Sequence, residues 1–150
     1  MPDLTEPKRE YKIDSANWWT MSMPINHNLE DLERCNSMVE DFCRALAERG
    51  VKLSALEIAK IVAHEATTNA QKYGEGHLKI GLKYDEIRKA IKLIVHDEGN
   101  GFDLSKVPDP TAEGLLTEGG RGIAMMRLYT HDGLRYQDHG RTMEARVDCS

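Results

Sequence analysis

Residues His64 to Gly74, with the sequence HEATTNAQKYG, form the second half of the strongest helical pattern in the chain. On a helix that advances about 100° per residue, the small and apolar residues of this region fall on one side, which we expect to face a core. These core-facing residues are Leu56, Ala59, Ala63, Ala66 and Ala70. The opposite side is polar, and we expect it to face solvent: Lys60, His64, Thr67 and Gln71.

Glu65 and Asn69 lie on neither of these two sides. They are four residues apart and therefore share one stripe of the helix. The same stripe is apolar one or two turns earlier, at Ile58, Ile61 and Val62. Because an unpaired buried charge is costly, a carboxylate and a carboxamide at such positions indicate a polar partner against this stripe. Lys72 and Tyr73 continue the stripe and are placed to edge the same pocket.

The composition is that of one ordinary globular domain. The chain has 150 residues, 40% hydrophobic and 30% charged, with a formal net charge of −5. No Lys/Arg run is present, which disfavours nucleic acid as a direct partner. No apolar run is long enough to span a membrane, so we expect a cytoplasmic protein without membrane association. Cys35, Cys43 and Cys149 lack metal-ligand spacing and are expected to be buried thiols without a disulfide.

The chain begins with a polar stretch, residues 1–17, which we expect to be a flexible lead-in to a domain spanning residues 18–150. Trp19, Met21 and Met23 then alternate with polar residues, which predicts an edge strand ending at Pro24. The two tryptophans at 18 and 19 are expected to serve in packing rather than in ligand stacking.

Two helices follow. The first is predicted to start at the N-cap Asn28 and to end at Gly50. The second is predicted to start with a capping box, in which Ser54 and Glu57 satisfy each other's backbone donors, and to stop at Gly74.

Alternating apolar residues then predict two strands joined by a turn near residues 85–89: Leu78, Ile80, Leu82 and Tyr84 in the first, and Ile91, Leu93 and Val95 in the second. Counting on by two from Val95 places Asp97 on the buried side at the end of the strand. The residues behind it form the pattern Asp97-x-Gly99-x-Gly101-Phe102. These glycines would let the backbone approach a flat ligand, although a hairpin turn would favour the same residues.

Residues 103–117 show no sustained period, and a loop of this length in a small domain is usually functional or disordered. The loop leads to Gly119-Gly120-Arg121-Gly122, immediately before a helical pattern that begins at Ile123. Glycines at a helix N-terminus expose backbone N–H groups and favour phosphates, although a flexible linker has the same composition. A final strand is predicted from the alternation of Met143, Ala145 and Val147.

Three motifs, taken together and in this order, resemble the N-box, G1-box and G2-box of the ATPase superfamily that includes gyrase, histidine kinases and mismatch-repair proteins. They are Glu65-x-x-x-Asn69, Asp97-x-Gly99-x-Gly101-Phe102 and Gly119-Gly120-Arg121-Gly122. The small size, the form Glu-Ala-x-x-Asn-Ala-x-x-x-Gly, and Ile123 behind the glycines are most similar to the bacterial anti-sigma factors that are also serine-protein kinases. The resemblance covers roughly residues 18–148.

The resemblance implies a site for ATP or ADP with Mg²⁺. Asp97 would accept a hydrogen bond from the adenine amino group, and Gly99 and Gly101 would let the backbone close around the base. Asn69 would complete a magnesium site made mostly of phosphate oxygens and water. Glu65 would be the general base that takes a proton from the attacking hydroxyl.

The remaining implied contacts lie around the phosphates and the rim. The loop of residues 103–117 would be a lid over the nucleotide. The other nucleotide-binding residues would be Lys72, Tyr73, Phe102, Gly119, Gly120, Arg121, Gly122 and Ile123.

The resemblance also implies a fold and a function. The fold is an α+β two-layer sandwich of the Bergerat type, in which a mixed, mostly antiparallel sheet of about five strands has helices on one face. The function is that of a bacterial, partner-switching kinase that phosphorylates an anti-anti-sigma protein of the STAS type, holds a sigma factor inactive, and forms a homodimer.

A nucleotide-gated binding module without phosphoryl transfer remains an alternative, because some kinases of the family carry an arginine where this chain has Glu118. Phosphate contact would then fall to Arg121 or Lys72. The catalytic part of a histidine kinase is disfavoured, since we expect no phosphoacceptor helical domain.

Overall fold

The computed structural model describes residues 11–99, 121–131 and 133–150, which form one antiparallel sheet with α-helices packed on it. The strands are β1 Lys12–Ile13, β2 Trp19–Pro24, β3 His77–Asp85, β4 Ala90–His96, β5 Leu134–Gln137 and β6 Thr142–Asp148. The helices are α1 Leu32–Glu48, α2 Leu53–Tyr73 and α3 Arg121–Thr130. The strand order is β1-β2-β3-β4-β6-β5. The α+β class with helices on a mostly antiparallel sheet is confirmed. The six described strands pair only antiparallel, whereas we expected a mixed sheet of about five strands.

The core lies between one face of this sheet and the helices. Alternate residues of β3, β4 and β6 are buried in register, as in the row Ile80, Val95 and Met143. The predicted periodicities of these strands are therefore confirmed. Met126 of α3 is fully buried against the same core.

The edge of the sheet differs from the prediction. β2 is not an edge strand, because Lys12 and Ile13 pair with Thr20 and Trp19. A short strand thus forms where we expected only irregular chain, while the domain boundary at residue 18 stays a prediction. Trp19 has the expected packing role, since its ring stacks on Tyr11 at a centroid distance of 5.2 Å.

The start of the first helix is largely as predicted. The side chain of Asn28 accepts a hydrogen bond from the Glu30 backbone N–H at 3.0 Å, which confirms the N-cap. The first turn is a 3₁₀ helix, Leu29–Asp31, before α1 begins. Gly50 follows the helix with φ of +89°, a left-handed conformation that glycine adopts at little cost.

The start of the second helix was predicted wrongly. Helix α2 begins at Leu53 with Lys52 as its N-cap, and no side chain caps this end. The Leu56 N–H already bonds to the Lys52 carbonyl, so Ser54 lies inside the first turn and the expected capping box is absent.

The polar side of α2 was also assigned wrongly in part. Thr67 and Gln71 are almost completely buried, at 1% and 0% exposure, whereas His64 faces solvent as expected. Gln71 is covered by the segment between β2 and α1, which crosses this side of the helix. The Gln71 Oε1 atom accepts hydrogen bonds from the backbone N–H groups of Asn26 and His27, each at 2.9 Å.

Candidate functional site

The end of α2 and the end of β4 meet at one side of the sheet. The Asp97 N–H donates to the Arg141 carbonyl at 3.0 Å, and the Glu98 N–H donates to the Glu75 carbonyl at 3.0 Å. The segment after α2 is thus joined by hydrogen bonds to the segment after β4. This junction brings the carboxylate of Asp97 to the last turn of the helix that carries Glu65 and Asn69.

Two glycines allow this close approach. A Cβ on Gly74 would lie 2.5 Å from the Ala70 carbonyl oxygen and 2.9 Å from Cγ of Asp97. A Cβ on Gly99 would lie 2.9 Å from Oδ1 of Asp97. Any larger residue at either position would displace the aspartate or the backbone around it. The requirement for glycine here is therefore steric, and it confines the Asp97 carboxylate between two stretches of backbone.

Asp97 is half-buried and partly satisfied by its own turn. Its Oδ1 accepts the Gly99 N–H at 2.7 Å, which fixes the orientation of the carboxylate. Among the described residues, no hydrogen bond reaches Oδ2. A fixed carboxylate with one oxygen left to accept is suited to an exocyclic amino group of a base.

The stripe of α2 that we singled out carries polar atoms without protein partners. Glu65 and Asn69 are both half-buried. The amide nitrogen Nδ2 of Asn69 is buried and has no hydrogen-bond partner in the described part of the chain. Buried polar groups are nearly always paired, so an orphaned amide indicates a ligand that supplies an acceptor. A phosphate oxygen would serve.

Thr68 carries a second orphaned atom that the sequence analysis missed. Its hydroxyl oxygen is buried and makes no hydrogen bond within the described residues. Its neighbour Thr67 shows the usual alternative, because that hydroxyl donates to the Ala63 carbonyl at 2.8 Å. A threonine in a helix is ordinarily taken to bond backward in this way, so nothing in the sequence distinguished Thr68 from Thr67.

The other predicted residues fall into two groups. Lys72 and Tyr73 are exposed at the end of α2, with Tyr73 at 66%. Arg121, Gly122 and Ile123 form the first turn of α3, which packs against α2. The remaining predicted positions lie outside the described residues: Gly101, Phe102, Gly119, Gly120 and the lid of residues 103–117.

The side chains around Asn69 bear on the expected magnesium site. In residues 11–99, 121–131 and 133–150, no group of three His, Cys, Asp or Glu side chains is placed to hold a metal ion. Mg²⁺ commonly uses one or two protein ligands together with substrate phosphates and water. Asn69 fits that pattern, since its Oδ1 could ligate the ion while Nδ2 donates to a phosphate.

The cysteines are not activated for chemistry. Burial raises the pKa of Cys35 to about 12 and that of Cys43 to about 11, so neither forms a thiolate near neutral pH. Cys149 is also buried, and all three cysteines are free, as expected. None of the helices within the described ranges combines the length and the apolar character needed to cross a membrane.

Comparison with known families agrees with this geometry. The model of the histidine kinase-like ATPase domain matches residues 26–147. This range includes α2, the Asp97 turn and α3, and ends within β6. No curated protein matches the chain. The chain belongs to the histidine kinase-like ATPase domain family and is an ATP-binding module of that kinase-like type.

Proposed function

We propose that this protein is a serine-protein kinase and anti-sigma factor, which phosphorylates an anti-anti-sigma protein of the STAS type in a bacterial partner-switching module. The observation that supports the proposal most is the stripe of α2. There, the half-buried carboxylate of Glu65 lies one turn before an asparagine whose buried amide lacks a partner. A base beside a phosphate-binding amide is the arrangement that phosphoryl transfer to a hydroxyl requires.

In the proposed site, the nucleotide lies between α2 and the Asp97 turn. Asp97 accepts a hydrogen bond from the adenine amino group through the oxygen that its own turn leaves unpaired. Asn69 contacts the phosphates and Mg²⁺. The ion would neutralise charge on the phosphate oxygens, and Lys72 at the exposed end of α2 would add a positive charge.

The proposed reaction transfers the γ-phosphoryl group of ATP to a serine hydroxyl of the partner. The serine oxygen forms the new bond to phosphorus, the bond to the β-phosphate oxygen breaks, and ADP leaves. The serine proton passes to the carboxylate of Glu65. General-base catalysis of this kind contributes about 10²–10⁴-fold, while positioning and charge neutralisation supply the rest.

The test uses the full chain, its cognate antagonist and radiolabelled ATP. We expect label on a serine of the antagonist, and we expect Glu65→Gln to abolish labelling while nucleotide binding persists. A matched control is Glu57→Gln, because Glu57 lies on the same helix two turns earlier and is exposed. Label that is equal for wild type and Glu65→Gln would contradict the role of Glu65. If the wild type binds nucleotide but puts no label on the antagonist, the kinase part of the proposal is wrong.

The second candidate is a nucleotide-gated binding module without transfer. Glu118 favours it, since an acid immediately before the glycine motif repels the phosphates that an arginine would attract. In that case ATP occupancy would change the affinity for a sigma factor or other partner, and Glu65→Gln would leave this affinity unchanged. A homodimer also remains part of the proposal, and sedimentation velocity would test it.

A further inference from the structure

The face of the sheet opposite the helices carries a groove that the nucleotide chemistry does not use. Its floor is Gly81, which lies opposite Thr20 on β2 and Ile94 on β4. The ring of Trp18 forms one wall and approaches so closely that a Cβ on Gly81 would lie 3.3 Å from it. The groove has a volume of about 560 Å³. Trp18 and Ile94 keep part of their surface exposed here, so this is an apolar depression rather than a packed core.

The rim of the groove is basic. Lys12, Lys79 and His96 line it, and none of its described lining residues is an aspartate or a glutamate. The Lys83 ammonium lies over the Trp18 ring, 5.8 Å from its centroid. This is a marked local departure in a chain whose formal net charge is −5. The rim therefore carries local positive charge, although the net charge of the protein is negative.

The lysines are not neutralised by the protein itself. In the described part of the chain, no carboxylate oxygen lies within ion-pair distance of Lys12, Lys79 or Lys83. Lys83 also lies directly opposite Lys92 in the ladder, and like charges at such positions destabilise a sheet. Only Lys92 has a carboxylate nearby, at 3.8 Å from Asp85. An external anion would relieve this repulsion.

We propose that this groove docks an acidic segment of a partner protein, with one apolar or aromatic side chain inserted over Gly81 against Trp18. The apolar floor is suited to a hydrophobic side chain of the partner, and the lysines of the rim are suited to carboxylates on either side of that side chain. A second copy of this chain fits poorly, because two such faces would bring their lysines together. The proposal does not depend on phosphoryl transfer.

The test is fluorescence anisotropy with a labelled probe peptide, in which one phenylalanine is flanked on both sides by glutamates and aspartates. We expect saturable binding to the wild type that weakens as salt is raised. The double variant Lys79→Glu/Lys83→Glu should weaken binding by at least about tenfold, since each reversal turns an attraction into a repulsion. Gly81→Val, which fills the floor, should weaken it without changing the charge.

The matched control is Lys89→Glu, which reverses the charge of an exposed lysine in the β3–β4 turn, outside the groove. It should leave the dissociation constant within about twofold, as expected for an isolated surface charge. Equal weakening by Lys89→Glu, or no effect of Gly81→Val, would reduce the interaction to general electrostatics and overturn the proposal.

Two further readouts separate this proposal from its rivals. Nucleotide binding, measured in parallel, should be unchanged in all groove variants, so loss of peptide binding is not loss of the fold or of the proposed nucleotide site. Sedimentation velocity should give the same mass for wild type and the double variant. If the wild type is a dimer and the double variant a monomer, the occupant is a second copy and the proposal is wrong.

Discussion

The adjacent threonines of α2 provide a matched pair of variants that separates ligand binding from folding. Thr67 and Thr68 differ by one position on the same helix, and both carry a buried hydroxyl oxygen. The Thr67 hydroxyl donates to the Ala63 carbonyl, whereas the Thr68 hydroxyl has no partner among the described residues. Substitution by valine keeps the branched shape and removes only the hydroxyl in each case.

The two substitutions should have opposite effects. Thr67→Val removes a buried hydrogen bond and should lower the free energy of unfolding by about 1 kcal/mol. Thr68→Val replaces an unsatisfied hydroxyl with a methyl group, so the free energy of unfolding should stay equal or rise by up to about 1 kcal/mol. If the Thr68 hydroxyl donates to a phosphate, its loss costs about 1.5–3 kcal/mol of binding, which corresponds to a rise of about tenfold or more in the nucleotide dissociation constant.

Urea unfolding of the free proteins and calorimetric titration with ATP and Mg²⁺ measure the two quantities separately. We expect Thr67→Val to change stability only, and Thr68→Val to change affinity only. A loss of stability in Thr68→Val with unchanged affinity would refute the reasoning, because the hydroxyl would then be bonded within the protein.

Three further predictions concern the approach of Gly74 to Asp97, the hydrogen bonds of Gln71 and the buried cysteines. Gly74→Ala should weaken nucleotide binding, since the new Cβ would lie 2.9 Å from Cγ of Asp97 and would displace the carboxylate. Unchanged affinity by calorimetry would contradict this prediction. Gln71→Leu should lower the free energy of unfolding by about 2–3 kcal/mol, because the backbone N–H groups of Asn26 and His27 lose their acceptor. Gln137→Leu, at an exposed position, is the control. Equal losses of stability for the two variants in urea unfolding would contradict the role of the Gln71 side chain. The thiols of Cys35 and Cys43 should resist alkylation at pH 8 in the native protein and react in denaturant, because burial keeps their pKa far above that pH. Rapid labelling of the native protein would contradict their burial.

Much of the fold could be predicted because the strands have strict alternation. The apolar residues of β3, β4 and β6 face one core, and their period of two indicates this without knowledge of their partners. Asn28 was also predictable, because an N-cap is a local interaction between neighbouring residues. The sequence contains the capping-box motif at Ser54, but the predicted capping box was wrong because the N-cap is Lys52, two residues earlier.

The other errors and omissions concern contacts between segments distant in sequence. Gln71 has the polarity of a surface residue, and only the segment around Asn26, which precedes it by 45 residues, explains its burial. The close approach of Gly74 to Asp97 is likewise invisible to periodicity, which predicted only that the helix stops there. Thr68 could not be told from Thr67, because whether a hydroxyl finds a partner depends on the assembled structure.

The measurement that tests the central claim most directly is calorimetric binding of ATP and ADP, with Mg²⁺, to the wild type, Asp97→Asn and Glu65→Ala. We predict that the wild type binds both nucleotides, that Asp97→Asn does not, and that Glu65→Ala still binds. This pattern would place the adenine of the nucleotide at the Asp97 turn and would leave Glu65 free for a catalytic role. If Asp97→Asn binds as tightly as the folded wild type, or the folded wild type binds neither nucleotide, the site proposed between α2 and the Asp97 turn is wrong.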